Sequence, residues 1–211
     1  MIDSTDRAVL ERIERGLRAP LPGIPAQLRM APMPRPGQKA YYEVEDTCLK
    51  AGVLVLLYER DGDATLLLTR RTERVLHHPG QISFPGGERH AGESLEATAL
   101  RETEEELGLD LGAVRILGRL TPLYIPLSNY CIYPTVARLP GGPLFRPQPD
   151  EVAEVIEVPL RRLMDPDCRR RETWTIGERT VNVPFYEFQG HKIWGATAMV
   201  LAEFLALADE A

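Results

Sequence analysis

Apolar positions along this chain keep two different rhythms. Between residues 5 and 17 they fall three and four apart, at Val9, Leu10, Ile13 and Leu17, which predicts a short amphipathic helix. "AGVLVLLYE" (51–59) is a continuous apolar run, rich in β-formers, and predicts a buried strand. "DGD" supplies a turn and "TLLLTRR" a partner strand. "TERVLHHPGQ" reads as loop, and "ISF" as a short strand ending at Pro85. Ser94 suits a helix N-cap and Gly108 a C-terminal stop, with good helix formers between them. "AVRILGRL" and "NYCIYPTVARL" predict further strands, and "PGGPLFRPQPDE" a long loop. "VAEVIEVPL" predicts a strand running into a helical turn, and "TWTIGERTVNVPFYEFQGHKIWG" hairpin strands. "ATAMVLAEFLALA" predicts a closing helix with Val200, Phe204 and Leu207 on one face. Strands flanked by helices give an α/β layered domain. The proline-rich stretch "APLPGIPAQLRMAPMPRPG" forbids a long regular element. It divides the chain into an N-terminal helix and arm, 1–48, and a main domain, 49–211.

Charge narrows the function classes. The 211 residues carry a formal net charge of -6, which argues against a broad basic surface for nucleic acid. A small phosphate-bearing ligand stays open, because a bound cation can reverse the local sign. The cysteines, Cys48, Cys131 and Cys168, are far apart with no CxxC pair. They indicate neither a zinc cage nor a disulfide framework, and read as idle thiols in a reducing compartment. The N-terminus has no apolar signal core and no run approaches a membrane span, so a soluble cytoplasmic protein is expected.

The dense acidic run is the feature that carries chemistry. At about 100° per residue, Glu102, Glu105 and Glu106 share one helix face, while Leu100, Thr103 and Leu107 face the sheet. Glu104 points elsewhere, to solvent. Like charges at this spacing repel, and the helix C-terminus disfavours them further. A divalent cation reverses the sign of every one of these effects, and this number of hard oxygens suits Mg²⁺ or Mn²⁺. The alternative is a solvated acidic face paired with arginines. The preceding Gly86 and Gly87 permit a tight turn that can present a backbone carbonyl to the same ion. Glu93 and Arg101 suit an ion pair between loop and helix.

The spacing Gly87, five residues, Glu93, seven residues, "RETEEELGL" resembles the Nudix box, GX5EX7REUXEEXGU. Gly87, Glu93, Arg101, Glu102, Glu105, Glu106 and Gly108 match its fixed positions, and Thr103 replaces a bulky aliphatic. Upstream, "LLTRRTERVLHHPGQISFPGG" resembles the signature of coenzyme A pyrophosphatases, LLTxR(S/A)x3Rx3Gx3FPGG. Thr72 replaces Ser or Ala there, and Leu76 replaces an arginine. The resemblance runs from about residue 50 to 207.

The resemblance implies an α/β/α sandwich with a mixed β-sheet, the Nudix fold. It implies that Glu102, Glu105 and Glu106 hold Mg²⁺ or Mn²⁺ with the Gly87 carbonyl, and that Glu93 and Arg101 complete the catalytic set. Arg101 would orient the glutamates. Arg71, Gly80 and Phe84 are the candidate substrate-binding residues, with Arg71 facing a 3′-phosphate and Phe84 lining a cleft or the core. The general base is a helix glutamate, Glu151 or Glu154. The implied substrate is a small diphosphate, coenzyme A or its thioesters, cleaved to 4′-phosphopantetheine and adenosine 3′,5′-bisphosphate. ADP-ribose or NADH is the alternative kept open by Leu76. A non-catalytic nucleotide-binding module is a further reading, opposed by the intact glutamates.

Overall fold

The computed structural model describes residues 3–33, 47–75, 78–176 and 179–209. The first helix, α1 (Ser4–Gly16), begins where the Asp3 carboxylate accepts the Thr5 N–H, and buries Val9, Leu10 and Ile13. A one-turn helix, α2 (Gly23–Gln27), follows. Residues 34–46, the end of the proline-rich stretch, lie outside the described residues.

The main sheet is built around β1 (Leu49–Arg60). It hairpins onto β2 (Asp63–Arg71) through a turn in which Asp61 and Gly62 both take positive φ. Its other neighbour is β7 (Tyr130–Arg138), parallel to it from Leu49 opposite Tyr130 to Leu57 opposite Arg138. The remaining strands are antiparallel to these: β3 (Ile82–Ser83) and β8 (Val152–Pro159) on β2, β4 (Gly86–Glu88) on β1, and β5 (Arg115–Arg119) and β6 (Leu123–Ile125) on β7. The sheet is therefore mixed.

Helix α3 (Leu95–Leu107) covers one face of β1 and α5 (Gly195–Ala206) the other. Leu54, Leu56, Tyr58 and Leu67 meet Ala99 and Leu107 on the α3 side. Val55, Leu57, Leu66 and Leu68 meet Val200, Leu201 and Phe204 on the α5 side. This explains the unbroken apolar run in β1: with both faces covered, neither set of alternating side chains meets water. Val9, Leu10 and Ile13 of α1 join the α5-side core, so the N-terminal helix is packed into the main body.

After β8 the chain forms α4 (Leu160–Met164) and then a separate antiparallel sheet of β9 (Arg169–Ile176), β10 (Arg179–Phe188) and β11 (His191–Trp194). No described helix is long and apolar enough to cross a membrane.

The cysteine reading is corrected. Cys48 and Cys131 form a disulfide, with Cα atoms 5.8 Å apart. They are 83 residues apart in sequence. The parallel pairing of β1 with β7 sets Cys131 opposite Lys50, two residues beyond Cys48, and this register joins them. Cys168 is free and buried.

Candidate active site

Two local signals fix the ends of α3. Ser94 Oγ accepts the Ala97 N–H at 3.1 Å, and Gly108 ends the helix at φ 60°, its N–H returning to the Glu104 carbonyl. The helix start lies against β1 at Gly52, where an added Cβ would stand 2.3 Å from the Leu95 carbonyl oxygen. Only a glycine permits that approach. The same stretch of β1 pairs with β4, Gly52 opposite Gly87 and Val53 opposite Gly86. The glycine pair is thus a strand edge beneath the acidic helix.

The glutamates divide by environment. Glu106 is only 4% exposed and accepts the Gly86 N–H at 3.3 Å through Oε2. Its Oε1 stands 3.8 Å from Arg71 Nη1. Burial pushes the Glu106 carboxyl up to about 8, against the pull of the Arg71 charge and the Gly86 N–H; Glu151 and Glu102 push it further in the same direction. Glu102 lies directly over Gly87, where any Cβ would fall 2.4 Å from its carboxylate. Glu105 is the outermost, with its side chain 61% exposed. Glu104 is exposed, as expected, but accepts the Leu111 N–H at 3.2 Å and so helps close the turn after the helix.

Arg101 organises the cluster. Its Nε and Nη2 donate to the two carboxylate oxygens of Glu93 at 2.9 and 3.1 Å. Nη1 donates to Glu102 at 2.7 Å and to Glu105 at 3.0 Å, and Nη2 also reaches the Glu88 carbonyl. A planar fork matches a carboxylate in this way, while a point charge does not. Those bonds hold the Glu93 carboxyl far below its usual range, at about 2, with the Thr98 hydroxyl and the His90 N–H contributing. Thr98 was not singled out in the sequence. Its place one turn into a helix capped by Ser94 is the signal that points to it, since a hydroxyl there reaches back to the loop. It donates to Glu93 at 2.8 Å.

Of the candidate substrate-binding residues, Arg71 is the one beside the glutamates. Its Nε is buried without a hydrogen-bond partner among the described residues. Gly80 lies in the β2–β3 loop at φ 67°, close to the Glu73 carboxylate. Phe84 is 4% exposed and sits in the α5-side core, so of its two readings the structure gives the packing one. Leu76 and His77 lie outside the described residues. The two proposed bases separate as well. Glu154 is bonded to Arg70 at 3.0 Å and to His191 at 3.2 Å. Glu151 is exposed and acts on Glu106 through its charge.

Hard oxygen donors around the glycine pair fit a divalent cation: the Glu102 and Glu106 carboxylates flank the Gly86–Gly87 edge, and the buried Glu106 charge lacks full compensation. Glu105 faces Arg101 instead, and among the described residues no group of three acidic, histidine or cysteine side chains is gathered in metal-holding geometry.

A glycine strand edge overlaid by a glutamate-rich helix, in a mixed sheet between helices, defines a Nudix hydrolase. A family model described as NUDIX domain matches residues 49–176, and the chain belongs to that family, whose members generally use divalent metal ions. The Nudix hydrolase NudL of Photorhabdus laumondii is 39% identical over 138 residues, 65% of this chain and 73% of that protein. NudL of Yersinia pestis (strain Pestoides F) is 36% identical over 155 residues, 72% and 76% of the two chains. The MutT protein from Methanosarcina mazei Go1 is similar in structure at 19% identity and a TM-score of 0.48, covering 76% of this chain and 92% of its own.

Proposed function

We propose that this Nudix hydrolase cleaves the diphosphate of coenzyme A or its thioesters, releasing 4′-phosphopantetheine, or its acyl form, and adenosine 3′,5′-bisphosphate. The observation that carries this reading is Arg71. It belongs to the coenzyme A-type signature that precedes the box, and its guanidinium stands beside Glu106 with a buried N–H that has no partner among the described residues. An unpartnered buried donor costs on the order of 1–3 kcal/mol, which an arriving phosphate oxygen relieves.

Glu102, Glu105, Glu106 and the Gly87 carbonyl are the proposed holders of Mg²⁺ or Mn²⁺. A bound ion of this kind neutralises the diphosphate oxygens and eases attack by water. The chain's own residues do the rest. Arg101 fixes the Glu102 side chain and clamps the loop through Glu93, so the carboxylates are positioned before substrate arrives. Glu105, the most exposed of the set, joins them by turning its side chain from Arg101. Glu106 oxygens face both Arg71 and the Gly86 N–H, which sets their direction. Glu151 is the better candidate for general base, because Glu154 is already engaged by Arg70 and His191.

A second reading, hydrolysis of another nucleoside diphosphate derivative such as ADP-ribose or NADH, is favoured by Leu76 standing where the coenzyme A signature has an arginine. The test is a panel of coenzyme A, ADP-ribose, NADH and a nucleoside triphosphate with Mg²⁺ or Mn²⁺, with products resolved. Coenzyme A is expected to be cleaved fastest. Faster cleavage of ADP-ribose or NADH would establish the second reading.

A further inference from the structure

A cleft opens away from the glutamates. Its floor is apolar and belongs to the α5 side of the molecule: Met30, Leu163, Ala202 and Leu205. Its volume is about 430 Å³, within the range of small-molecule sites. Its rim is cationic, which is unexpected in a chain of formal net charge -6.

The register of the smaller sheet builds that rim. Arg169 is opposite Tyr186 and Arg171 opposite Pro184, so with period-2 alternation both arginines share the face that carries the Tyr186 ring. Arg29, from the short helical turn Leu28–Met30, comes in from across the cleft. Neighbouring arginines are used up: Arg170 pairs with Glu187 at 3.0 Å, Arg161 with Asp63, and Arg162 with Asp165. Arg29, Arg169 and Arg171 have no ion-pair partner among the described residues, and Asp209 is the one carboxylate that lines the cleft among them. Tyr186 is 2% exposed, yet its hydroxyl has no hydrogen-bond partner among the described residues. Burial raises this phenol to about 12, the Arg169 and Arg29 charges opposing the rise, so it stays a proton donor at neutral pH.

We propose that this cleft binds a phosphate monoester with an apolar substituent, at a site separate from the glutamate centre. Three guanidinium groups and a phenol supply donors for phosphate oxygens, and planar guanidinium forks suit them better than point charges. The floor of Met30, Leu163, Ala202 and Leu205 takes the apolar substituent. This inference does not depend on which diphosphate the enzyme cleaves.

Calorimetric titration of the full chain with hexyl phosphate and with inorganic phosphate, in EDTA, tests the proposal. An Arg71→Ala background minimises binding beside Glu106. Hexyl phosphate is expected to bind at least about threefold more tightly than inorganic phosphate, through the buried hydrocarbon. Arg169→Gln with Arg171→Gln is expected to weaken it at least about tenfold, and Tyr186→Phe roughly threefold. The two exposed arginines can be replaced without disturbing the core, and circular dichroism checks the fold. In the chain that keeps Arg71, diphosphate hydrolysis with Arg169→Gln and Arg171→Gln should be unchanged. Equal affinity in that variant, no preference for the hexyl ester, or no binding at all would overturn the proposal.

Discussion

Arg71 Nη1 stands 3.8 Å from Glu106 Oε1, and the pair joins the loop signature of this chain to its acidic helix. The carboxylate is buried at 4% exposure and the guanidinium is a quarter exposed, so the arginine is the route by which charge compensation reaches Glu106 from the more exposed side. The compensation is incomplete, and the carboxyl rises to about 8 because burial outweighs the arginine.

That rise has a defined sign. The folded value lies above the ordinary 4.5, so folding takes up a proton. The stability contributed by the neutral carboxyl is full below about pH 4.5 and is lost as pH rises through about 8. In EDTA, Glu106→Gln is expected to raise the melting temperature above pH 8, with a gain on the order of 1–3 kcal/mol, and to change little at pH 4.5. The same variant should lose hydrolysis by at least about a hundredfold. An identical pH dependence of melting for wild type and variant would exclude the burial argument.

The clamp between Arg101 and Glu93 makes a different prediction, because it positions carboxylates and does not touch substrate. Arg101→Lys keeps the charge and loses the fork that holds both Glu93 oxygens and Glu102. Hydrolysis is expected to fall by about 10- to 100-fold, in kcat more than in KM. The Glu93 carboxyl sits at about 2, so its contribution is present above the ordinary carboxylate range and is lost as pH falls towards 2. The arginine-carboxylate clamp should therefore persist through pH 4. A change confined to KM in steady-state kinetics would assign Arg101 to substrate binding.

The parts of this molecule that were legible in the sequence are those with local causes. Ser94 and Gly108 bracket α3 through hydrogen bonds within a few residues, and the face carrying Thr103 and Leu107 follows from helical spacing. The strand β1 announces itself by its apolar run. What the sequence did not yield depends on register between distant segments. Gly52 is one glycine in an apolar run until α3 is laid upon it. Cys48 and Cys131 become neighbours only once β1 and β7 run parallel. The glycines of β4 have no strand propensity and by themselves suit a turn; pairing with β1 makes them a strand. Around the acidic helix, the sharing of a face by Glu102, Glu105 and Glu106 followed from spacing, but their unequal burial did not.

Gly52 should be intolerant of the smallest substitution. In Gly52→Ala the new methyl would stand 2.3 Å from the Leu95 carbonyl oxygen and 3.0 Å from the Ala99 nitrogen, both backbone atoms. Neither can turn aside, so α3 must lift from the sheet. A loss of about 2–4 kcal/mol is expected in denaturant unfolding, with reduced hydrolysis from displaced glutamates. Gly112→Ala, whose nearest neighbour is the Asp110 side chain at 3.1 Å, should cost well under about 1 kcal/mol and is the control. Equal stabilities would show that the helix start yields freely.

Glu203 ties the N-terminal segment to the closing helix. It is fully buried, and its carboxylate accepts from Gln27 Nε2 at 2.8 Å, the Thr121 hydroxyl at 2.7 Å, the Thr121 N–H at 3.2 Å and the Gly23 N–H at 3.2 Å. Such a charge is tolerated only while its donors remain, and breaking the set strands a buried ion. Removing residues 1–47 leaves the Cys48–Cys131 disulfide in place but takes away Gln27 and Gly23, along with the packed side chains of Val9, Leu10 and Ile13. The truncated chain is therefore expected to lose at least about 3–5 kcal/mol and to unfold well below the full-length protein. Glu203→Gln in the full chain should cost about 1–3 kcal/mol, since an amide offers one acceptor oxygen where these donors need two. In the truncated chain the same change should cost less, because the charge it removes has already lost half its partners. A truncated protein that melts with the full-length one would mean that the first 47 residues are a dispensable arm, and the buried network around Glu203 would then need another explanation.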